Sequence, residues 1–151
     1  MNHGVMKLYV IARICYKNKI PLIPKIVKVL IRVICGATIP YKAEIGNGTK
    51  FPHCASGVVI HEETIIGSGC KIQTNVVIGG RNGIKGAPII GNNVLIGAGA
   101  VVIGKIKIGN NVSIGANAVV TADLPDNSVA MGIPARVIRI KSDMEVKNGV
   151  V

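Results

Sequence analysis

The sequence predicts an all-β protein, a β-helix of hexapeptide repeats behind two short N-terminal helices. Every sixth residue from Ile60 to Val120 is a β-branched aliphatic: Ile60, Ile66, Ile72, Ile78, Ile84, Ile90, Ile96, Val102, Ile108, Ile114 and Val120. Glycine follows at Gly67, Gly79, Gly91, Gly97, Gly109 and Gly115. A helix repeats its apolar face every 3.6 residues and a strand every 2, so a period of six means a short strand, a corner and another short strand. The composition agrees. Hydrophobic residues make up 49% but aromatics only 3%, with no Trp. Such a core is built from small branched side chains and suits a narrow solenoid.

The 151 residues are enough for one domain. Lys and Arg number 18 against 7 Asp and Glu, a formal net charge of +11. The basic residues crowd both ends of the chain, which points to an anionic membrane surface or a phosphorylated small molecule. Nucleic acid is not expected, because no aromatics interleave the basic residues and no DNA-binding spacing is present. Cys15, Cys35, Cys54 and Cys70 have no C-x-x-C spacing and read as free thiols in a reducing compartment. No uncharged run is long enough to span a bilayer and no signal peptide is evident. The expected localisation is cytoplasmic, at most peripheral on the inner face of the membrane.

Residues 1–36 form a basic helical segment. Val5, Leu8, Tyr9, Ala12 and Tyr16 share one face of a helix that ends near Lys17. Prolines at 21 and 24 interrupt it, and a second helix fits Pro24 to Ile34 with Gly36 as its stop. Its basic residues Lys25, Lys28 and Arg32 lie on one face. These helices read first as a cover for the open solenoid end, where an unpaired edge needs one. The second reading is a basic amphipathic surface for anionic lipid.

Residues 37–140 form the β-helix domain. Ile39, Ile45 and Phe51 also step by six, in a frame offset by three from the later one. The extra residues fall in 51–57, and such irregularities favour active sites. A second break, 79–88, holds four glycines and a proline among polar residues and reads as an extruded loop in which Ile84 keeps the count by chance. Cys70, Val76, Val94, Ala100, Ile106, Val112 and Ala118 supply a small second inward position. Pro125 ends the repeat, and residues 141–151 read as a polar tail.

Three segments together resemble the hexapeptide-repeat acyltransferases, in their serine acetyltransferase-like branch, over roughly Ile39 to Ile140. They are Pro52-His53-Cys54-Ala55-Ser56-Gly57-Val58-Val59-Ile60, then Val77-Ile78-Gly79-Gly80 with Ile90 to Ala100, then Gly132-Ile133-Pro134-Ala135-Arg136. The resemblance implies a left-handed parallel β-helix, a homotrimer, and acetyl-CoA lying between two subunits. No metal is expected.

Acyl transfer to a hydroxyl needs a base and donors for the developing oxyanion. His is the side chain best suited to be that base near neutral pH. His53 lies in the frame slip and falls on the family's catalytic His. His61 follows an anchor and should point outward, and His3 is set aside. Cys54 is a conceivable nucleophile, but the family transfers directly, so it reads as structural. Gly79 and Gly80 offer backbone N–H groups to the thioester or oxyanion. Gly97, Ala98 and Ala116 would let the pantetheine arm approach, and Arg136, Arg139 and Lys141 would meet the CoA phosphates.

Thr38, Glu62 and Arg81 are the candidate acceptor-site residues. Thr38 stands where serine acetyltransferases carry an acidic residue that orients the His, and Pro52 where they carry a second. Gly86-Ala87 stands where they carry an Arg-His pair for the amino-acid acceptor. Glu62, a backbone carbonyl or a neighbouring subunit remain to orient His53. With those positions neutral, the leading expectation is an acetyl-CoA-dependent O-acetyltransferase acting on a sugar or glycan hydroxyl, as in polysaccharide biosynthesis. The alternatives are serine O-acetylation, a non-enzymatic scaffold, and a zinc β-helix enzyme, for which the His ligands are too few.

Overall fold

The computed structural model describes residues 4–147. Two helices, α1 (Gly4–Lys17) and α2 (Ile23–Cys35), come first. The strands are β1 (Glu44–Ile45), β2 (Val59–Ile60), β3 (Ile65–Ile66), β4 (Lys71–Ile72), β5 (Val77–Gly79), β6 (Ile89–Ile90), β7 (Leu95–Ile96), β8 (Val101–Ile103), β9 (Lys107–Ile108), β10 (Ser113–Ile114), β11 (Val119–Val120), β12 (Ser128–Gly132) and β13 (Ala135–Ile140). A short helix, α3 (Asp143–Lys147), ends the described chain.

The strands stack into three faces. The first holds β2, β5, β8 and β11, the second β1, β3, β6 and β9, the third β4, β7, β10, β12 and β13. All pairs are parallel except β12 with β13. One circuit visits each face once, so a regular coil is three hexapeptides. Ile60 pairs with Ile78 and Val102 with Val120 at that spacing. Ile78 pairs with Val102 at four hexapeptides. The additional six residues are the loop after β5, which is why Ile84 keeps the count while remaining 49% exposed. Ile45 pairs with Ile66 at three hexapeptides plus three residues, and the three extra residues sit in the turn before β2.

The ladder residues other than Ile84 are buried, as are Cys70, Val76, Val94, Ala100, Ile106, Val112 and Ala118. Each buried Ile or Val contributes about 1.5–3 kcal/mol. One corner adds a feature that periodicity does not reveal. Asn93, Asn111 and Asn127 adopt left-handed backbone, and their amides link one coil to the next, Asn111 Nδ2 donating to Asn127 Oδ1 at 2.9 Å. Asn tolerates this conformation better than other side-chain-bearing residues.

The helices cover the open end. Val5, Tyr9, Ala12, Val27, Ile31 and Cys35 join the same core as the first coil. The Tyr9 hydroxyl donates to Ala43 C=O at 2.6 Å and accepts from Ile45 N–H at 3.1 Å. Arg13 donates to Tyr41 and Lys42 carbonyls and pairs with Glu44. Beyond β13, Ser142 and Glu145 cap α3 reciprocally. Residues 148–151, like His3, lie outside the described chain. No helix among the described residues is long and apolar enough to cross a membrane.

The cysteine reading needs correcting. Cys35 and Cys54 are disulfide-bonded, with Cα atoms 5.4 Å apart. The fold returns the end of α2 to the turn before β2, a proximity that sequence spacing does not show. Cys15 and Cys70 are free.

Candidate active site

Two corners of the prism carry most of the site residues. The first is where the chain passes from the third face to the first. Here Phe51 is buried as the last residue of the early frame, and Pro52–Ala55 makes a single tight turn. His53, Cys54 and Ala55 are all left-handed, with φ of 51°, 58° and 58°. Three such residues in succession are costly for side chains with a Cβ and hold only where the surroundings impose them. Ala55 is buried, the Cys54 sulfur is bonded to Cys35, and Val58 N–H donates to Ala55 C=O at 2.9 Å. The turn thus projects an exposed His53 imidazole. Among the described residues no hydrogen bond fixes its ring.

Later coils stack under this turn. Asn75 N–H donates to Ser56 C=O, Gly99 N–H to Thr74 C=O, and Asn117 N–H to Ala98 C=O, each at 2.9 Å. Ala98 and Ala116 are exposed in this column. Gly97 is required by packing itself, since a Cβ there would lie 2.5 Å from Ala116 N. At the end of the column, Met131 packs on the Gly115 position and pairs with Arg136. From His53 to Arg136 is five strand spacings, about 24 Å.

Arg139 and Lys141 do not share this corner, because β13 runs back across the third face. Arg139 pairs with Glu145 at 2.8 Å. Lys141 Nζ donates to Ser113 Oγ at 2.7 Å. Burial, aided by the nearby Arg139 charge, holds the Lys141 ammonium below its usual pKa.

The second corner joins the first face to the second and carries the extruded loop. Gly79 C=O accepts from Gly104 N–H at 3.0 Å. Gly80 N–H makes no hydrogen bond to another described residue, and a Cβ on Gly79 would meet nothing within 4 Å. His61 lies beside Gly80 and accepts from Glu63 N–H at 3.2 Å. Its exposed ring fits the outward placement expected. Glu62 is half exposed and accepts from Lys42 Nζ at 3.1 Å. That contact raises the Lys42 pKa through the hydrogen bond and the carboxylate charge, and it places Glu62 on Lys42 rather than on His53. Arg81 pairs with Ile84 across the loop. Lys105, unremarked in the sequence, lays its side chain against Gly86. Only the register shows this, because Lys105 lies one coil further on.

Thr38 bridges to Val59 on the outer side of the first face, donating to Val58 C=O and accepting from Ile60 N–H. It stands between the two corners. Within one protomer the His53 corner and the Gly79–Gly80 corner are separated by the width of that face. Among the described residues no cluster of His, Cys, Asp and Glu is suited to a metal ion.

Residues 87–122 match the bacterial transferase hexapeptide (six repeats) family. The chain is 42% identical to a serine acetyltransferase of Synechococcus elongatus over 130 residues, 85% of this chain and 53% of that protein. It therefore spans about half the length of the curated relative it matches. Among solved structures, a serine acetyltransferase from Brucella abortus in complex with coenzyme A superposes with a TM-score of 0.86 at 29% identity, covering 91% of this chain and 55% of that one. Soybean serine acetyltransferase complexed with serine gives 0.83 at 34%, covering 89% and 56%.

These relatives overturn the glycan and polysaccharide-biosynthesis expectation, since they are serine acetyltransferases. That expectation rested on neutral residues at Thr38, Pro52 and Gly86-Ala87. Ala87 is buried and is not an acceptor contact, while Lys105 lies against Gly86 and Arg81 against Gly104. Over its own length the chain is a hexapeptide-repeat domain of the serine acetyltransferase-like branch of the acyltransferases.

Proposed function

We propose that this protein transfers the acetyl group of acetyl-CoA to the hydroxyl of L-serine, with His53 as general base. The observation that carries this reading is the identity with a serine acetyltransferase across most of the chain, together with an exposed His53 held in a strained turn over a column of small residues.

His53 takes the serine hydroxyl proton as that oxygen attacks the thioester carbonyl. The free N–H of Gly80 faces the developing oxyanion. As the carbon–sulfur bond breaks, the imidazolium returns its proton to the departing CoA thiolate, so the base is regenerated each cycle. The pantetheine arm lies along Ala98 and Ala116 toward Arg136. Arg139 and Lys141 supply positive potential from the adjoining face. Serine is a zwitterion, and Glu62 and Arg81 offer opposite charges for its ammonium and carboxylate, with Thr38 between the corners as a neutral hydrogen-bonding group.

This assignment needs His53 of one copy beside the loop of the next. A closed trimer of left-handed solenoids, corner against face, brings them together. The test is release of free CoA thiol from acetyl-CoA on addition of L-serine. Glu62→Gln and Arg81→Gln are each expected to raise KM for L-serine about 10- to 100-fold, the loss of one hydrogen bond to a charged group. KM for acetyl-CoA should not change. Thiol release indifferent to L-serine contradicts the proposal.

A further inference from the structure

The two helices that cover the solenoid leave a second surface unused. Four residues of α2, Pro24, Val27, Ile31 and Cys35, are buried. Ile26, Val29 and Val33 lie on the opposite side of the helix, Val29 60% and Val33 77% exposed. Leu22, Leu30 and Ile34 widen this stripe, and Val10, Ile11 and Ile14 of α1 are also exposed. Covering the solenoid end requires only the buried stripe, so it does not account for this outer apolar face. Single exposed apolar residues need no explanation, but a contiguous patch marks an interaction site.

Charge identifies the occupant. Lys25, Lys28 and Arg32 form a row between the buried stripe and the outer apolar stripe of α2. Every charged residue before Glu44 is basic: Lys7, Arg13, Lys17, Lys19, Lys25, Lys28, Arg32 and Lys42. Of these only Arg13 and Lys42 find a carboxylate among the described residues. An apolar stripe beside an unneutralised basic row is the pattern of a helix lying in the plane of an anionic bilayer, apolar side inward and ammonium groups at the headgroups. A second copy of the same surface would bring no acidic partner to this row, since every charged residue before Glu44 is basic. We infer that α1 and α2 dock the protein peripherally on an anionic lipid surface through the Ile26–Val29–Val33 stripe and the Lys25–Lys28–Arg32 row. The inference does not depend on the acyl acceptor.

The test is co-sedimentation of the full chain with phosphatidylcholine vesicles, with and without phosphatidylglycerol. Binding is expected only to the anionic vesicles, weakening as salt is raised. Each basic residue near the surface is worth roughly fivefold, so Lys25→Gln/Lys28→Gln/Arg32→Gln together should weaken binding about a hundredfold. Val29→Glu/Val33→Glu should abolish it while leaving the oligomeric state and the far-UV spectrum unchanged, since both side chains are exposed. No binding to either vesicle, or equal binding to both, overturns the inference. So does a change of oligomeric state in Val29→Glu/Val33→Glu, which would make the occupant a second copy.

Discussion

His53 is positioned by its backbone rather than by a side-chain partner. The left-handed run His53-Cys54-Ala55 aims the imidazole outward, and the disulfide to Cys35 fixes the turn that carries it. Tyr9 shows a different economy. Its phenol both donates and accepts at the junction of α1 with the first coil, and burial holds its pKa above the usual 10.0. A buried phenol with a raised pKa contributes stability that is complete below pH 10 and lost as pH rises through the raised value. Tyr9→Phe leaves Ala43 C=O and Ile45 N–H without this partner and should cost about 1–3 kcal/mol. Urea unfolding below and above pH 10 checks both points: the wild type should lose stability across that range and Tyr9→Phe should lose less. Cys70 behaves likewise, its thiol pushed up by burial. It should resist thiol reagents in the native state and react on unfolding, which labelling followed by mass spectrometry reads directly.

The elements divide into those that stack and those that depart from the stack. Gly97 belongs to the first kind. Gly97→Ala drives a Cβ into Ala116 backbone and should cost about 1–3 kcal/mol. Gly79→Ala meets open space and should leave the melting temperature alone, while affecting KM for acetyl-CoA if the thioester passes there. The loop belongs to the second kind. Because it is an insertion of one hexapeptide, deleting residues 81–86 restores a regular coil. The deletion should leave the thermal midpoint within a few degrees and abolish serine-dependent turnover. Much of this was legible beforehand. The ladder from Ile60 to Val120, the slip around His53 and the loop were all visible as a period and its failures. The Asn93–Asn111–Asn127 column was not, since its partners lie a full coil apart. The Cys35–Cys54 bond and the approach of Lys105 to Gly86 depend on how coils and helices meet in space. The glycan expectation failed for a related reason. Neutral residues at aligned positions imply a neutral pocket, but Ala87 is buried and Lys105, one coil further on, lies against Gly86.

At the scale of the whole molecule, the chemistry is divided between two edges of one face. A protomer presents His53 on one corner and Gly79–Gly80 with Glu62 and Arg81 on another, so the assembled trimer is the catalytic unit proposed. Mixing tests this without a structure of the assembly. His53→Ala and the 81–86 deletion should each be strongly impaired alone. Trimers refolded from both should regain serine-dependent activity, because some interfaces then join an intact His53 to an intact loop. The most direct test of the central claim is steady-state CoA release from acetyl-CoA and L-serine by the wild type and His53→Ala. A positioned base contributes typically 10²–10⁴-fold, so kcat should fall by about that factor with KM for acetyl-CoA little changed. Serine-dependent release that survives His53→Ala undiminished would contradict it.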